Sequence, residues 1–229
     1  MRDCLLIYSG GLDSTSALHI YRDRIKLAVS FNYGSKHNAM EIKYAKLNCE
    51  RLGIEHRVIN LKQVFSNIHS ALLDEREDIP DGHYAEDNMA KTVVPFRNGI
   101  MLSIAAGIAD SEGLGTIMLA SHKGDNAQYP DCTPAFNSGM EQAVYYGTKH
   151  NVKLAAPFET VDKREIAVAG VKAGMLPEQT YSCYKGGLVH CGRCGTCVER
   201  IWALKDLEDN TEYADKEYAI KLLKVRKEW

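Results

Sequence analysis

The chain has 229 residues, 45% of them hydrophobic and 25% charged, a composition that suits one large soluble domain with room for a small appendage. Its formal net charge of −2 gives no basic field of the kind that favours nucleic acid as a partner. The longest nearly apolar run, residues 99–109, is well short of the roughly 20 residues of a membrane span, and the run at residues 4–8 is too short for a secretory signal core. We therefore expect a cytoplasmic protein that binds neither membranes nor nucleic acid.

Short apolar runs alternate with helical patterns along most of the chain. The runs predict five strands, at Cys4–Tyr8, Lys26–Asn32, His56–Leu61, Gly115–Ser121 and Val152–Ala156. Apolar residues at helical spacing predict helices over Asn38–Leu52 and Arg97–Glu112, and Asp162 opens another with a capping-box pattern that Gly174 closes. This alternation indicates an α/β fold: a Rossmann-like, five-stranded parallel sheet with helices on both faces.

The first predicted strand leads directly into a glycine turn and a helix start. Residues 8–17 read YSGGLDSTSA. Backbone N–H groups of such a turn crowd around one point and a helix N-terminus adds positive potential, so the stretch predicts an anion pocket. Two common phosphate loops do not fit, because no lysine follows Gly11 at the Walker spacing and the dinucleotide fingerprint needs a third glycine.

Two segments interrupt the alternation of strands and helices. Leu73–Thr92 is acidic, rich in turn residues and poorly periodic, which predicts a surface loop. From Pro177 to Cys197 glycines and cysteines replace the periodicity, and a helical pattern resumes over Val198–Leu207. A final basic helix has one apolar stripe, which either packs on the same domain or forms a subunit contact. The stripe consists of Ala214, Tyr218, Leu222, Val225 and Trp229.

Four of the seven cysteines lie within fifteen residues: Cys183, Cys191, Cys194 and Cys197. A disulfide framework would spread its pairs along a secreted chain, so the clustering points to a metal ion. Four thiolates fit a tetrahedral zinc ion, which with no open position would hold the fold together and take no part in catalysis. An iron–sulfur cluster is the main rival, although the CP ending of ferredoxin-like runs is absent.

The glycine turn resembles the signature of a known family. Residues 9–14, SGGLDS, are similar to the SGGxDS motif of the PP-loop ATP pyrophosphatases, which cut ATP to AMP and pyrophosphate. Backbone amides and hydroxyls of this turn can neutralise charge on the departing pyrophosphate, and Asp13 is expected to hold Mg²⁺ or orient the loop. The resemblance implies that ATP is bound by Tyr8, Ser9, Gly10, Gly11, Leu12, Asp13, Ser14, Thr15 and Ser16, with Asp13 also catalytic.

The same resemblance implies a domain organisation and an adenine nucleotide alpha hydrolase-like form of the Rossmann fold. Residues 1–176 would form the nucleotide-binding domain, and residues 177–229 a zinc-binding segment with C-terminal helices. Lys163 begins a predicted helix from which it can reach a phosphate, although a solvated lysine is the alternative. Arg97 also begins a helix, which disfavours a cation unless an anionic ligand lies nearby. We expect Lys163 to be catalytic and Arg97 to bind ATP.

Further motifs narrow the resemblance. In chain order they are residues 31–37 (FNYGSKH), 94–98 (VPFRN), 124–125 (GD) with 129–132 (YPDC), and 181–184 (YSCY) with the cysteine cluster. Together they are similar to the QueC family of the queuosine pathway, from the N-terminus to about Leu207. The resemblance implies a ligase that converts 7-carboxy-7-deazaguanine and ammonia to the nitrile. It would consume two ATP through adenylated acid and amide intermediates.

The segment that follows the fourth predicted strand is expected to contact the substrate, because open parallel sheets bind ligands at the carboxyl ends of their strands. Asp125 and Asp131 are candidates for the N–H edge of the deazaguanine ring or for proton transfer, and His122 and Lys123 for handling the acid. We therefore predict that Asp125 is catalytic and that His122, Tyr129 and Asp131 bind the substrate. Neighbouring Cys132 is a possible nucleophile, with a buried thiol as the commoner alternative.

The chain departs from the family pattern at two places. Thr133-Pro134-Ala135-Phe136 stand where the family usually has Arg-Pro-Glu-Phe, and Ser35-Lys36 stand where Gln-Arg is common. The missing charged pair leaves open a changed nucleophile, as in a ligase that joins the deazaguanine acid to another amine or to a protein.

Two other classes of function stay open. A PP-loop tRNA sulfurtransferase would need paired catalytic cysteines outside the cluster, and a non-catalytic nucleotide-binding module would not need Asp13. The expected partners are small molecules, namely ATP, the deazaguanine acid and ammonia, and the expected assembly is a homodimer.

Overall fold

A parallel five-stranded sheet forms the centre of the computed structural model, which describes residues 2–83 and 87–229. The strand order is β3-β2-β1-β4-β5. The strands are β1 (Cys4–Ile7), β2 (Ile25–Asn32), β3 (Glu55–Asn60), β4 (Thr116–Met118) and β5 (Lys153–Ala155). All five predicted strands are therefore confirmed, with the largest change in bounds at the end of β4.

The helices connect these strands in the expected alternation. They are α1 (Leu12–Ile20), α2 (Asn38–Leu52), α3 (Lys62–Phe65), α4 (Arg97–Ser111), α5 (Pro134–Gly147), α6 (Lys163–Lys172), α7 (Gly195–Ala203) and α8 (Lys216–Val225). Short 3-10 turns lie at Asp87–Thr92, Lys123–Ala127, Pro130–Cys132 and Pro177–Gln179. The predictions of α2, α4 and α6 are confirmed, whereas α5 was not predicted.

Helices cover both faces of the sheet, as predicted. Successive side chains of β1 point to opposite faces, so Leu6 packs with helices α1, α2 and α6, and Leu5 packs with α4. Strands buried on both faces form continuous apolar runs, which is why they were visible in the sequence. Because β1 pairs with β2 on one side and with β4 on the other, the topological switch point lies at the carboxyl ends of β1 and β4.

The C-terminal helices pack on each other within the chain. Val198 and Ile201 of α7 form a buried cluster with Ala219 and Leu223 of α8. The predicted stripe was wrong in its register, because Val225 is 81% exposed. Helix α7 also begins earlier than predicted, with Cys194 as its N-cap, and ends at Ala203.

Arg200 of α7 is fully buried and ties the C-terminal segments together. Its guanidinium donates hydrogen bonds of 2.6–3.2 Å to neutral oxygens of Pro177, Thr180, Ser182, Thr211 and Tyr213. A buried guanidinium needs such acceptors, since leaving its N–H groups without partners would cost several kcal/mol. The side chain therefore fixes residues 177–182 and 211–213 against α7.

The acidic segment is a loop over residues 73–83, which confirms the prediction there, whereas residues 87–92 form a 3-10 helix and residues 84–86 lie outside the described residues. Asp81 anchors this loop to the cysteine segment through Lys185 at 2.6 Å and Arg193 at 2.8 Å. A neighbouring stretch, Met89–Ser111, is long and apolar enough to cross a membrane by length and composition alone. Half of it is buried, and its helical part packs on β1 and β4 like the core helix of a soluble domain.

Candidate active site

The turn between β1 and α1 is shaped by close packing against α2. Gly10 has a φ of 88°, in the left-handed region that favours glycine. A Cβ atom there would lie 2.3 Å from the carbonyl oxygen of Glu41 and 2.9 Å from the backbone nitrogen of Ala45. The C-terminal segment holds the turn from the other side, because Tyr181 donates its N–H to the carbonyl of Gly10 at 3.0 Å. Only glycine therefore fits at this position.

The hydroxyl groups of the turn fall into two sets. Ser9 and Ser14 bond to each other at 2.9 Å and line a cavity, together with Tyr8, Gly11, Leu12 and Asp13. Thr15 and Ser16 are fully buried and do not line it: Thr15 bonds to the Tyr8 hydroxyl at 3.1 Å and Ser16 donates to the Leu12 carbonyl at 2.9 Å. The second pair serves the packing of α1, and its predicted part in ATP binding stays a prediction.

The cavity has a volume of about 190 Å³ and lies at the switch point of the sheet. The first turn of α1, with its free backbone N–H groups, forms one part of the wall. Helices α2 and α4, the ends of β2 and β4 and the segment at residues 181–184 form most of the rest. Residues from the N-terminal and C-terminal parts of the chain thus surround one concave site, the arrangement expected of a ligand pocket in an open α/β sheet.

A charged cluster lies at the PP-loop end of this cavity. Lys163 Nζ lies 3.0 Å from Asp13 Oδ2 and 2.9 Å from Glu199 Oε2. Burial alone would lower the pKa of Lys163. The two carboxylates together have the larger effect and raise that pKa above its usual value, so the ammonium stays charged. Burial also raises the pKa of Asp13, but Lys163 and His122 bring it below its usual value. The second Asp13 oxygen, Oδ1, is buried and accepts no hydrogen bond from the described residues.

His122 lies behind this cluster and is 1% exposed. Its Nδ1 accepts the Gly124 N–H at 3.0 Å, which assigns the proton to Nε2. That Nε2 faces three carboxylates, at 3.5 Å from Asp125, 3.7 Å from Glu199 and 4.0 Å from Asp13. His122 does not line the cavity among the described residues, so its direct contact with substrate stays a prediction.

Arg97 lies at the other end of the cavity, at the start of α4. The residue before it, Phe96, has a φ of 53°, and a Cβ on Gly99 would lie 2.3 Å from the Phe96 ring. This strained turn directs Arg97 into the cavity, where its Nη1 donates to the Tyr33 hydroxyl at 3.3 Å. Among the described residues no carboxylate lies within ion-pair distance of Arg97, so its charge is available to an anionic ligand.

His37, the N-cap residue of α2, and Glu41, in the first turn of that helix, complete this end of the site. Burial, reinforced by Arg97, lowers the pKa of His37 to about 3, so its imidazole is neutral. Burial raises the pKa of Glu41 to about 8, against the opposing effect of Arg97. The His37 ring stacks on Tyr184 at a centroid distance of 5.0 Å, which gives this part of the cavity a flat aromatic wall.

The YPDC segment supports the cavity mostly from outside. Asp131 Oδ2 accepts the Asn98 N–H at 2.8 Å and so caps α4 beside Arg97. The Tyr129 hydroxyl lies 3.4 Å from that of Tyr184. Neither Asp131 nor Tyr129 lines the cavity, and their direct contact with substrate stays a prediction. Cys132 does line it, but burial raises the pKa of its thiol, so it is a poor nucleophile.

The two departures from the family pattern lie outside the cavity wall. Thr133 caps the previously unpredicted helix α5 by accepting the Phe136 N–H at 3.2 Å, and Ala135 is exposed. Ser35 is buried near His37, while Lys36 bonds to the carbonyl of Glu77 in the acidic loop. The missing Arg–Glu pair therefore removes no charge from the described cavity lining.

The cysteine cluster is a candidate metal centre. The sulfur atoms of Cys183, Cys191, Cys194 and Cys197 all lie within 4.8 Å of one another. Backbone N–H groups of residues 191, 193 and 194 point at sulfurs at 3.3–3.4 Å, which stabilises thiolates. The donor set therefore fits a metal ion that prefers sulfur ligands.

Sequence reasoning missed two acidic residues of the site. Glu199 follows Cys197 by two residues, so the cluster that begins α7 also directs a carboxylate at Lys163. Glu41 follows the FNYGSKH motif on α2, one helical turn after His37. Both positions follow a recognised motif closely, but only the tertiary structure brings them to the cavity.

Comparison with known proteins agrees with the resemblance. A family model described as "Queuosine biosynthesis protein QueC" matches residues 3–208. A 7-cyano-7-deazaguanine synthase of Porphyromonas gingivalis is 50% identical over 214 residues, which cover 93% of this chain and 97% of that protein. Another, of Desulfotalea psychrophila, is 44% identical over 217 residues, which cover 93% and 99%.

Among solved structures, an NH3-dependent NAD synthetase from Campylobacter jejuni aligns over 76% of this chain and 65% of its own, with a TM-score of 0.45 and 16% identity. That likeness is too low to support a conclusion. The family model spans most of the chain, and the curated relatives align over nearly their whole length. The chain therefore belongs to the QueC family of queuosine biosynthesis proteins.

Proposed function

We propose that the chain converts 7-carboxy-7-deazaguanine and ammonia to 7-cyano-7-deazaguanine, as an ATP-dependent ligase that forms carbon–nitrogen bonds in queuosine biosynthesis. The observation that supports this most is that one cavity is lined by the PP-loop at one end and by Arg97 and aromatic side chains at the other. Relatives at 50% and 44% identity are named as this synthase.

The first half of the reaction makes a poor electrophile reactive. A carboxylate oxygen of the substrate attacks the α-phosphorus of ATP, and pyrophosphate leaves. The N–H groups at the start of α1 and the hydroxyls of Ser9 and Ser14 bind the departing pyrophosphate, and protonated Lys163 stabilises its growing charge. Ammonia then attacks the acyl carbon, AMP leaves with the substrate oxygen, and loss of a proton gives the amide.

The second half repeats the phosphate chemistry at the same loop. The amide oxygen attacks the α-phosphorus of a second ATP, and pyrophosphate leaves again. Loss of AMP and of the remaining nitrogen-bound protons gives the nitrile. His122 and Asp125 are the proposed proton-handling pair, because the Nε2 of His122 faces the Asp125 carboxylate at 3.5 Å beside the PP-loop cluster.

We infer that the cysteine cluster holds zinc. A tetrahedral zinc ion with bonds of about 2.3 Å requires sulfur–sulfur separations of about 3.8 Å, and the sulfurs of Cys191 and Cys197 lie 3.8 Å apart. With four thiolates the ion would hold residues 181–184 against the PP-loop and supply no open position. Asp13 is the proposed ligand of Mg²⁺, since its Oδ1 has no other partner among the described residues. Mg²⁺ would supply charge neutralisation at the phosphates.

The alternative chemistries have less support. The names of the relatives do not point to a different amine or to a protein as acceptor, and ammonia is the simplest nucleophile. Sulfur transfer to tRNA would need reactive thiols, but Cys4 and Cys49 are buried in the core and burial raises the pKa of both to about 12.

The proposal also includes the organisation of the chain and its location. Residues 1–176 are the proposed nucleotide-binding part and residues 177–229 the proposed metal-binding part, in a cytoplasmic protein. The proposed assembly is a homodimer, and sedimentation velocity tests the assembly.

The test is a product assay with the acid, ATP, Mg²⁺ and ammonium. We expect AMP, pyrophosphate and the nitrile by mass spectrometry, with two AMP for each nitrile. Product that ends at the amide, or that forms only with another amine, would contradict the proposal. Asp23→Asn, at an exposed position outside the cavity lining, is the control for variants of the site.

A further inference from the structure

Among the residues that the structure describes, three carboxylates line the cavity, and two of them have partners in the chain. Asp13 pairs with Lys163 at 3.0 Å. Asp125 accepts the backbone N–H of His122 at 3.2 Å. The third, Glu41, accepts no hydrogen bond from the described residues, although its side chain is only 14% exposed.

The neighbours of Glu41 do not neutralise it. The nearest basic atom among the described residues is His37 Nε2 at 3.6 Å, which is beyond hydrogen-bond distance. The His37 imidazole is neutral, and it lies 3.2 Å from the Tyr33 hydroxyl. Arg97 faces the same cavity but does not form an ion pair with Glu41 in the described structure. A largely buried carboxylate without donors is costly unless a ligand supplies them.

The walls around Glu41 indicate what kind of ligand supplies those donors. Phe31, Tyr33 and Tyr184 line the cavity with aromatic rings, and Met101 and Leu119 add apolar surface. Such walls favour a flat heterocycle. The two oxygens of one carboxylate match two neighbouring N–H donors on one edge of a ring, as bidentate pairing requires.

We propose that Glu41 is the residue that selects a 2-amino-4-oxo heterocycle, by accepting hydrogen bonds from the ring N–H and the 2-amino group of the deazaguanine. The inference rests on the proposed function and deepens it. Asp131, a sequence-based candidate for this edge, already caps α4, and Asp125 already bonds to His122. Donors from the base would also favour the ionised form of Glu41.

The test compares two ligands and three forms of the chain by calorimetry without ATP. The ligands are 7-carboxy-7-deazaguanine and its analogue that lacks the 2-amino group. The forms are the wild-type chain, Glu41→Gln, and the matched control Glu50→Gln, at an exposed site on the same helix. We expect the wild type and the control to prefer the 2-amino base by about 10-fold or more, and Glu41→Gln to lose that preference.

The outcomes separate the two proposals. A preference that survives in Glu41→Gln would overturn the role of Glu41 and leave the proposed function intact. A wild-type chain that binds neither base would overturn both. A measurement on the wild type needs no variant: with a ¹⁵N-labelled base, we expect the ring N–H and amino protons to shift downfield and resist exchange. Protons that exchange as in free solution would overturn the inference.

Discussion

Two arginines in two regions of the molecule, the fully buried Arg200 and the partly buried Arg97, differ in what surrounds them. Arg200, in the C-terminal region, donates to five neutral oxygens of its own chain. Arg97, in the cavity, has one described hydrogen bond, to Tyr33. The first region satisfies its polar groups internally, whereas the cavity leaves Arg97, Glu41 and one oxygen of Asp13 for a ligand. Satisfied groups stabilise the fold, and unsatisfied groups indicate where function lies.

The largest expected effect is on the C-terminal region, through the metal ion proposed for its cysteine cluster. Cys194→Ser or removal of the ion with a chelator should unfold residues 177–229, since a structural ion of this type contributes on the order of 10 kcal/mol. ATP cleavage should fail as well, because Tyr181 then no longer holds Gly10. Thermal denaturation with and without chelator measures the change. Cys49→Ala, which leaves the four clustered cysteines in place, is the control whose melting should respond to chelator as the wild type's does. A melting temperature independent of metal would contradict this prediction.

Asp13→Asn should have the next largest effect, on the cavity alone. The turnover of ATP to AMP should fall by about 1,000-fold, because the charge that faces Lys163 and the phosphates is lost. The free energy of unfolding should change little. Steady-state AMP release is the measurement, and Asp23→Asn should match the wild type. Unaltered turnover in Asp13→Asn would remove that residue from the mechanism.

The two arginines allow the comparison to be tested directly. Arg200→Met should lower the free energy of unfolding by about 3 kcal/mol, because its buried acceptors lose their donors. Arg97→Met should change that free energy by less than about 1 kcal/mol, since it breaks one bond within the chain, but should abolish ligand binding. Urea denaturation and calorimetry measure the two effects. Equal losses of stability in the two variants would refute the distinction between the regions.

Glu199→Gln should have the smallest effect. It weakens the hold on Lys163 without removing the Asp13 contact, so we expect a fall in kcat of about 10-fold. The melting temperature should stay close to that of the wild type. Glu217→Gln, at an exposed site on α8, is the control. No change in kcat would mean that Glu199 does not position Lys163.

Sequence alone predicted the sheet and the helices around it well, because buried parallel strands and capped helices leave local signals. Helix α5 was missed, although Thr133-Pro134 forms a helix start and Phe136, Met140 and Val144 follow at helical spacing. Val225 was wrongly predicted to lie on the packed face of the last helix, because an apolar stripe alone does not show which of its residues are buried.

The site was only partly predictable. The PP-loop, Lys163 and the cysteines belong to sequence patterns that can be recognised. The fold therefore predicted that the PP-loop and Lys163 lie at the cavity, and the spacing predicted that the cysteines lie together. Glu41 and Glu199 carry no motif of their own, and their roles depend on long-range packing of α2 and α7. The buried bonds of Thr15 and Ser16 were equally invisible, since a hydroxyl in a helix start can point toward a ligand or into the core.

The most direct test of the central claim, that the PP-loop cavity transfers AMP to substrate oxygen, follows the oxygen atoms. 7-Carboxy-7-deazaguanine labelled with ¹⁸O at both carboxyl positions is incubated with ATP, Mg²⁺ and ammonium. The masses of the products are measured by mass spectrometry. We expect each of the two AMP molecules to carry one ¹⁸O and the nitrile to carry none. Unlabelled AMP, with ¹⁸O in phosphate or pyrophosphate, would contradict the account.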